Sequence, residues 1–379
     1  MKHKKIQQVI NKQKVNLKIF GGKKVSTVLF QPRIYYWYNW NKTRGSLPEK
    51  YRKKSMIEVY DDLQISPRYF PEVLGLVDVK AIYSKKVKIK EEVKADTRIT
   101  VIYTPNGEII KEEKWSFTNY DWRISRYPIK NPEDVEKLIW LFENTEWLFL
   151  KENFEDASRI FRNKGEPQFF LPRSGYQTLF IDWMGLENLI YGLADFSEKI
   201  EQLIKAINKS YDSLYENIIS YGKVKIINFG ENIDANVAPP QYFEKYCIPF
   251  YEERANQLKK AGIYTHIHID GSFRPLLKYL KDLPFDGLEA LTPLPQGDVT
   301  LEEIKEAIGE KILLDGIPAI FFLPNYSLEK LQEFVERLVK IFYPKLILGV
   351  SDELPPPANI ERVRYISQYC MNLSKVGGL

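Results

Sequence analysis

Two of the chain's three histidines lie in one short segment, His266-Ile267-His268-Ile269-Asp270-Gly271. Alternate side chains of a β-strand point to the same face, so His266, His268 and Asp270 would share one face. Imidazole and carboxylate groups in this arrangement are typical of two kinds of site: a nitrogen–oxygen metal site, for which zinc is the expected ion, and an acid–base site. We therefore predict that His268 and Asp270 are functional, with His266 in a supporting position.

Polar residues also follow the other apolar runs of the chain. A single polar residue in such a position would be best explained as a helix N-cap or a surface charge. Several at the ends of successive strands instead predict a shared polar pocket. The residues at these strand ends are Arg173, Tyr176, Glu231, Asn232, Asp234, Glu289, Asp315 and Asp352.

From residue 168 onward, short apolar runs alternate with amphipathic helical stretches, which predicts a parallel sheet. The runs are Gln168–Leu171, Val224–Phe229, Tyr264–Ile269, Gly287–Leu291, Ile312–Leu314 and Leu346–Val350. With one or two further strands near Val25–Phe30 and in the early region, the pattern predicts a TIM (β/α)8 barrel, whose catalytic groups lie at the carboxyl ends of its strands. The alternative is an open doubly wound sheet. That fold usually has a glycine-rich phosphate turn, and the chain contains neither the dinucleotide-binding nor the P-loop motif.

The sequence predicts a lysine-rich N-terminal arm over residues 1–24 and a single domain over residues 25–379. Within the domain, residues 87–115 alternate apolar and polar side chains around Pro105-Asn106-Gly107. Asn-Gly favours a tight turn, so this segment predicts an antiparallel β-hairpin inserted into the main body.

An aromatic segment, Gln31–Trp40, follows the first apolar run. It contains too many aromatic side chains for an ordinary exposed loop, which predicts that it lines a cavity. We predict that Arg33, Tyr35 and Trp37 contribute to a substrate pocket.

The composition narrows the class of protein. The chain has 55 basic and 50 acidic residues, a net charge of +5, and no basic motif interleaved with aromatic residues. We therefore expect a solvated arm and no nucleic-acid partner. The sequence contains no apolar run long enough to span a bilayer. It also shows no secretory signal at its N-terminus. The two cysteines have neither metal-site nor disulfide spacing, so we expect a soluble cytoplasmic protein. The low Cys and Met content favours a thermophilic source.

Six segments carry a resemblance to a known family: Leu47–Arg52, Gly230–Asp234, Pro240–Pro249, His268–Gly271, Glu289–Asp298 and Asp352–Pro356. Through them, the chain resembles the uroporphyrinogen decarboxylase superfamily from about Ser26 to Tyr369. The resemblance implies a TIM-barrel enzyme that acts on a small molecule, and a homodimer would be in keeping with it. The superfamily also contains corrinoid-dependent methyltransferases, some of which use zinc.

The chain departs from both branches of this superfamily. The decarboxylase has paired arginines before its Leu-Pro-Glu, which bind the substrate's carboxylates, whereas the matching segment Asn41–Ser46 has only Arg44. Thiol-activating methyltransferases hold zinc with His-x-Cys and a later cysteine. Here the matching positions are His268, Asp270 and approximately Asp352, so carboxylates replace both thiolates.

We favour a methyltransferase that moves a methyl group from a small methylated substrate to a corrinoid carried on a separate protein. Glu231 and His268 resemble the acid-and-histidine arrangement of demethylating members, with Glu244 as a weaker second acid. On this hypothesis Glu231, His268, Asp270 and Asp352 hold zinc, and Tyr176 is a further catalytic residue. Arg173, Asn232, Asp234 and Glu289 contact the substrate.

Two alternatives remain open at this point. One is a carboxy-lyase of the uroporphyrinogen decarboxylase type, acting on a tetrapyrrole or another carboxylate substrate through arginine or tyrosine side chains. The other is a protein that binds a corrinoid or tetrapyrrole without catalysis.

Overall fold

The computed structural model describes residues 10–118 and 121–376. The strands are β1 (Leu29–Phe30), β2 (Val79–Tyr83), β3 (Lys88–Lys94), β4 (Thr97–Thr104), β5 (Gly107–Ser116), β6 (Asp121–Arg126), β7 (Thr145–Phe149), β8 (Phe170–Leu171), β9 (Ile226–Ile233), β10 (Tyr264–Ile269), β11 (Gly287–Glu289), β12 (Ile312–Pro318) and β13 (Leu346–Ser351).

The helices alternate with these strands over much of the chain. They are α1 (Lys12–Phe20), α2 (Tyr35–Thr43), α3 (Met56–Leu63), α4 (Phe70–Leu74), α5 (Pro132–Glu143), α6 (Lys151–Phe161), α7 (Gly175–Thr178), α8 (Gly185–Asp195), α9 (Ser197–Ser210), α10 (Asp212–Tyr221), α11 (Pro240–Tyr242), α12 (Ile248–Lys260), α13 (Leu277–Leu280), α14 (Leu301–Ile308), α15 (Leu328–Phe342) and α16 (Ile360–Val376).

The chain divides into two compact units, each assembled from separate stretches of sequence. Unit 1 contains Met1–Leu76, Glu152–Phe169 and Asp286–Leu379. Unit 2 contains Val77–Lys151 and Phe170–Phe285. Parallel strands occur in both units, so the fold is mixed α/β.

Unit 1 is built around four parallel strands in the order β1–β13–β12–β11. Every residue of β12 and β13 is buried, as expected for parallel strands covered on both faces. Helix α15 shows why the flanking segments are helical. Its buried residues Leu331, Val335, Leu338 and Phe342 recur at helical spacing, and the Ser327 hydroxyl caps its first turn by accepting from the Lys330 N–H at 3.2 Å.

Unit 2 contains three parallel strands in the order β8–β9–β10. It also contains an antiparallel pair, β2–β7, and a four-stranded antiparallel sheet in the order β3–β4–β5–β6. The segment 87–115, for which the sequence predicts a two-stranded hairpin, contains β3, β4 and most of β5, and β6 lies beyond it. Thr104 pairs with Gly107, so Pro105 and Asn106 form the turn between β4 and β5.

Each apolar run in the sequence analysis contains or overlaps an observed strand, and the run Tyr264–Ile269 coincides with β10. The predicted arm at residues 1–24 lies partly outside the described residues. Its described part includes α1, in which Ile19 and Phe20 are buried. Among the described residues, no helix combines the length and hydropathy needed to cross a membrane.

Candidate active site

Glu231 lies at an irregularity between β9 and β10 in unit 2. Ile267 pairs with Phe229, but Ile269 pairs with Ile233, so β9 uses four residue steps where β10 uses two. The additional residues form a bulge at positions 230–232, opposite His268. Bulges of this kind redirect side chains and are frequent beside active sites.

The Glu231 side chain is fully buried, and Ser174 donates two hydrogen bonds to its carboxylate. The Ser174 N–H donates to Oε1 at 2.5 Å, and the Ser174 hydroxyl donates to Oε2 at 2.9 Å. Burial raises the pKa of Glu231 above its ordinary value, although the Ser174 hydrogen bonds and the nearby Arg173 oppose the shift. Buried Cys247 and Tyr251 lie beside the carboxylate, and its charge contributes to the raised pKa of each. This group (Ser174, Glu231, Cys247, Tyr251 and His268) is called the acid site below.

The two strand histidines have different surroundings. His266 is completely buried, and its Nδ1 lies 2.9 Å from the Asn228 amide nitrogen, in the register expected for neighbouring strands. His268 is 5% exposed and lies opposite the β9 bulge. Asp270 follows the end of β10 and is half-buried, and its N–H donates to the Ile233 carbonyl at 3.2 Å. The structure therefore places His268, rather than His266, next to the irregular segment that contains Glu231.

Two predicted site residues of unit 2 instead support its loops. The Tyr176 hydroxyl donates to the Val237 carbonyl at 2.7 Å, and its ring stacks on Tyr246. Asp234 accepts from the N–H groups of Asn236 at 2.7 Å and Ser272 at 3.1 Å.

The loop contacts of Asp234 also constrain its neighbours. Gly271 has φ +68°, and a Cβ there would lie 2.1 Å from the Asp234 carboxylate, so only glycine fits at this position. Asn232, another predicted substrate contact, is exposed.

Unit 1 contains a buried ion cluster around Arg68, a residue that the sequence analysis did not select. The Arg68 guanidinium lies 2.9 Å from Asp315 and 3.2 Å from Glu289, and all three side chains are at most 1% exposed. The Tyr69 hydroxyl donates to Glu289. Glu289 was predicted to bind substrate, but here its charge is compensated within the protein. Arg68 follows no predicted strand, so no local pattern marks it.

Arg33 forms a second ion cluster in unit 1. Its guanidinium lies 2.5 Å from Glu72, 2.5 Å from Asp352 and 3.2 Å from Glu353. Burial would lower the pKa of Arg33, but these three carboxylates hold it well above its ordinary value. Arg33 and Asp352, predicted as a substrate contact and a metal ligand, are therefore ion-pair partners.

Backbone conformation also distinguishes the Arg68 cluster. Asp315 adopts φ +75°, which is uncommon for a residue with a side chain and is often found at functional sites. A Cβ at Gly349 would lie 2.2 Å from the Asp315 carboxylate, so glycine is required on the neighbouring strand. Burial raises the pKa of Asp315 to about 7, and Arg68 opposes the rise.

The aromatic segment contributes to the core as well as the surface of unit 1. Trp37 is 2% exposed, and its indole N–H donates to the Ala358 carbonyl at 3.1 Å. Tyr35 is 40% exposed. The segment therefore anchors the chain after β13 through Trp37.

The predicted zinc ligands do not form a ligand group. Over residues 10–118 and 121–376, no three side chains of the types His, Cys, Asp and Glu are placed to hold one metal ion. Both oxygens of Glu231 accept hydrogen bonds from Ser174, and Asp352 is paired with Arg33. The arrangement fits a protonated or hydrogen-bonded carboxyl at Glu231 better than a metal ligand.

Comparison with solved structures identifies the fold. A methyltransferase from Methanosarcina mazei matches with a TM-score of 0.60 and 11% sequence identity, covering 97% of this chain and 99% of its own. A B12-independent methionine synthase from Shewanella sp. W3-18-1, in complex with selenomethionine, matches with a TM-score of 0.45 and 12% identity, covering 92% of this chain and 96% of its own. At this identity, the first likeness shows a shared fold.

Sequence comparison identifies the family. No curated protein sequence matches the chain. The model of the uroporphyrinogen decarboxylase (URO-D) family matches residues 178–373, which is more than half of the chain and includes Glu231, His268, Glu289 and Asp352. The chain therefore belongs to the uroporphyrinogen decarboxylase family, as its sequence motifs predicted.

Proposed function

We propose that the protein is a methyltransferase that removes the methyl group from a small methylated substrate and transfers it to a corrinoid on a separate protein. The observation that carries this choice is the internal pairing of Arg33 and Arg68. A porphyrinogen decarboxylase must bind a substrate rich in carboxylates, for which guanidinium groups are the best partners. Each of these two arginines already has at least two carboxylates of the protein.

Glu231 supplies the acid that demethylation requires. The bond between the methyl carbon and the substrate's oxygen or nitrogen breaks, and its electron pair stays on the heteroatom. A proton from Glu231 joins that heteroatom, while the methyl carbon bonds to the nucleophile that the corrinoid provides. A buried carboxyl with a raised pKa is suited to donating this proton.

The neighbours of Glu231 have defined tasks in this proposal. The Ser174 N–H and hydroxyl fix the orientation of the carboxyl group and stabilise the carboxylate that remains after proton transfer. We assign the return of the proton to His268, which lies opposite the bulge. Asp270 follows His268 at the strand end and, we propose, contacts the substrate.

The proposal uses no zinc ion in any step, because two of the four residues predicted to hold it, Glu231 and Asp352, have other partners. Elemental analysis of protein purified without chelators tests this directly. Stoichiometric zinc that is lost in His268→Ala would restore the metal-assisted mechanism. Metal content below stoichiometry in both proteins would agree with acid catalysis by Glu231.

The function is tested by incubating the purified protein with methyl ethers and methylamines in the presence of reduced cobalamin. The appearance of a demethylated product is the expected result. Glu231→Gln should lower the turnover rate by roughly 10²–10⁴-fold, the usual contribution of a positioned general acid.

The matched control is Glu216→Gln, which changes an exposed glutamate of unit 2 in the same way and should retain activity. Incubation with uroporphyrinogen addresses the carboxy-lyase alternative. Formation of coproporphyrinogen, without demethylation of any methylated compound, would reject the methyltransferase proposal.

A further inference from the structure

Unit 2 contains a cavity of about 460 Å³ at the end of β8, within the size range of small-molecule sites. Its wall includes several aromatic side chains and four charged groups, Asp78, Lys111, Arg173 and Asp182. Arg173 directly precedes Ser174, the residue that holds Glu231, and its charge acts on the Glu231 carboxyl. The cavity is therefore next to the acid site.

Arg173 and Asp182 differ from the other two charged groups of the cavity wall, because neither has a hydrogen-bond or ion-pair partner for its charged group among the described residues. Within residues 10–118 and 121–376, the Arg173 guanidinium makes no hydrogen bond or ion pair, and its buried Nε–H has no acceptor. Over the same residues, the Asp182 carboxylate has no hydrogen-bond or ion-pair partner either. Burial raises the pKa of Asp182, and the positive charges of Arg173 and Lys111 only partly oppose this shift.

Unpaired buried charges cost stability, so proteins usually pair them internally. Arg33 and Arg68 of the same chain illustrate the usual outcome. Lys111, the other cation of the cavity wall, lies 3.5 Å from Glu113 and so already has a partner. Asp78, the other carboxylate of the wall, accepts a hydrogen bond from the Val79 N–H at 2.7 Å. The cavity consequently offers one guanidinium and one carboxylate that make no hydrogen bond or ion pair with the described part of the chain.

Local structure holds these groups in place. Asp182 and Trp183 lie in a π-helical turn, Leu179–Met184, between α7 and α8. Such turns are rare and are often found at functional sites. The aromatic wall is also fixed. The Trp147 indole N–H donates to Ser210 at 3.2 Å, and Trp183 packs edge-to-face on Phe142 at 5.9 Å between ring centroids.

We propose that this cavity binds a zwitterionic small molecule with an aromatic or apolar body, its ammonium group at Asp182 and its carboxylate at Arg173. A purely anionic ligand would leave Asp182 unmatched, and a purely cationic ligand would leave Arg173 unmatched. The aromatic wall suits both the apolar body and the ammonium group. The binding of a zwitterion does not depend on the proposed function. Only the further step, that this zwitterion is the methylated substrate, rests on it.

Isothermal titration calorimetry with three ligands that share one body tests the inference. L-phenylalanine carries both charges, phenethylamine only the ammonium group, and 3-phenylpropionate only the carboxylate. We expect L-phenylalanine to bind at least about tenfold more tightly than either analogue, a difference that one additional charged contact readily provides. Equal affinities for all three ligands would overturn the inference.

Two variants, one for each charged residue, test which ligand group each residue binds. Asp182→Asn should remove the preference for L-phenylalanine over 3-phenylpropionate but keep the preference over phenethylamine. Arg173→Gln should show the reverse pattern. Each variant is expected to keep one of the two preferences. That remaining preference shows that the cavity of the variant is still folded. Both preferences surviving in both variants would reject this site. Asp195→Asn and Arg123→Gln change exposed residues of unit 2 in the same way and should keep both preferences.

Failure of the proposed function would be distinguishable from failure of this inference, because the titrations contain no methyl acceptor. O-methyl-L-tyrosine is the methylated probe of the same class, and its conversion to tyrosine with reduced cobalamin is the expected result. Zwitterion preference without demethylation of any compound would reject the methyltransferase and retain the site. Demethylation of other compounds without zwitterion preference would reject only the site.

Discussion

Charged side chains are used differently in the two units. In unit 1, Arg33 and Arg68 are buried and each has two or more carboxylate partners. In unit 2, Arg173 and Asp182 line a cavity, and among the described residues neither has an ion-pair partner. The paired charges contribute to holding a particular structure, whereas unpaired charges at a cavity are available to a ligand. Buried charge alone therefore does not identify a binding site. The presence or absence of an internal partner distinguishes the two cases.

The largest effect is expected from removing a paired charge in unit 1. Arg68→Met leaves Glu289 and Asp315 buried without their cation, which should lower the free energy of unfolding by about 3–5 kcal/mol. Chemical denaturation measures this change. Arg337→Met is the matched control, because Arg337 pairs with Glu302 at the surface and should contribute less than about 1 kcal/mol. Similar decreases in the free energy of unfolding of both variants would show that the buried cluster stabilises the protein no more than a surface ion pair does.

An intermediate effect is expected from pH. In the folded protein, Asp315 has a pKa of about 7, whereas in the unfolded chain it should titrate at its ordinary value near 4. Between these values the folded state retains a proton that the unfolded state releases. The stability from Asp315 is thus fully present below about pH 4 and is lost as the pH rises to about 7.

Denaturation at a series of pH values tests this contribution. Between about pH 4 and 7, the free energy of unfolding of the Asp315→Asn variant should decrease less than that of the wild-type protein. Asp195→Asn replaces an exposed aspartate and should retain the wild-type dependence. Identical profiles for the wild-type protein and Asp315→Asn would contradict the assignment.

The smallest effect has the opposite sign and tests the unit 2 side of the comparison. Asp182→Asn removes a half-buried charge that has no ion-pair partner among the described residues, so above neutral pH it should raise the free energy of unfolding by about 1 kcal/mol. Thermal and chemical denaturation without ligand measure the change. A loss of stability comparable with that of Arg68→Met would mean that Asp182 has a structural partner and that the two units do not differ in this respect.

Sequence patterns located the parallel strands but not the antiparallel pair β2–β7, because fully buried parallel strands appear as short continuous apolar runs. The run Tyr264–Ile269, for example, is also the observed β10. The same patterns identified Glu231 and His268 as strand-end residues. They could not predict that a bulge at positions 230–232 lies opposite His268, because the register between two strands depends on tertiary pairing.

The sequence also could not predict which charged residues pair with one another. Arg68 and Asp315 are separated by 247 positions, and neither has a neighbour in the sequence that signals the pair. Asp182 lies in a π-helical turn, where an ordinary helical periodicity would place its side chain differently. The local pattern therefore indicated which residues are polar at strand ends, but only the fold shows which of them are already neutralised.

The division of the chain into two units has a consequence for synthesis on the ribosome. Unit 2 ends at Phe285, so all of its residues emerge before the stretch Asp286–Leu379 that completes unit 1. Strand β1 must wait for its hydrogen-bonded neighbour β13, which lies more than 300 positions later. Unit 2 can therefore fold first, while the early stretch of unit 1 depends longest on chaperones or on its own solubility during translation.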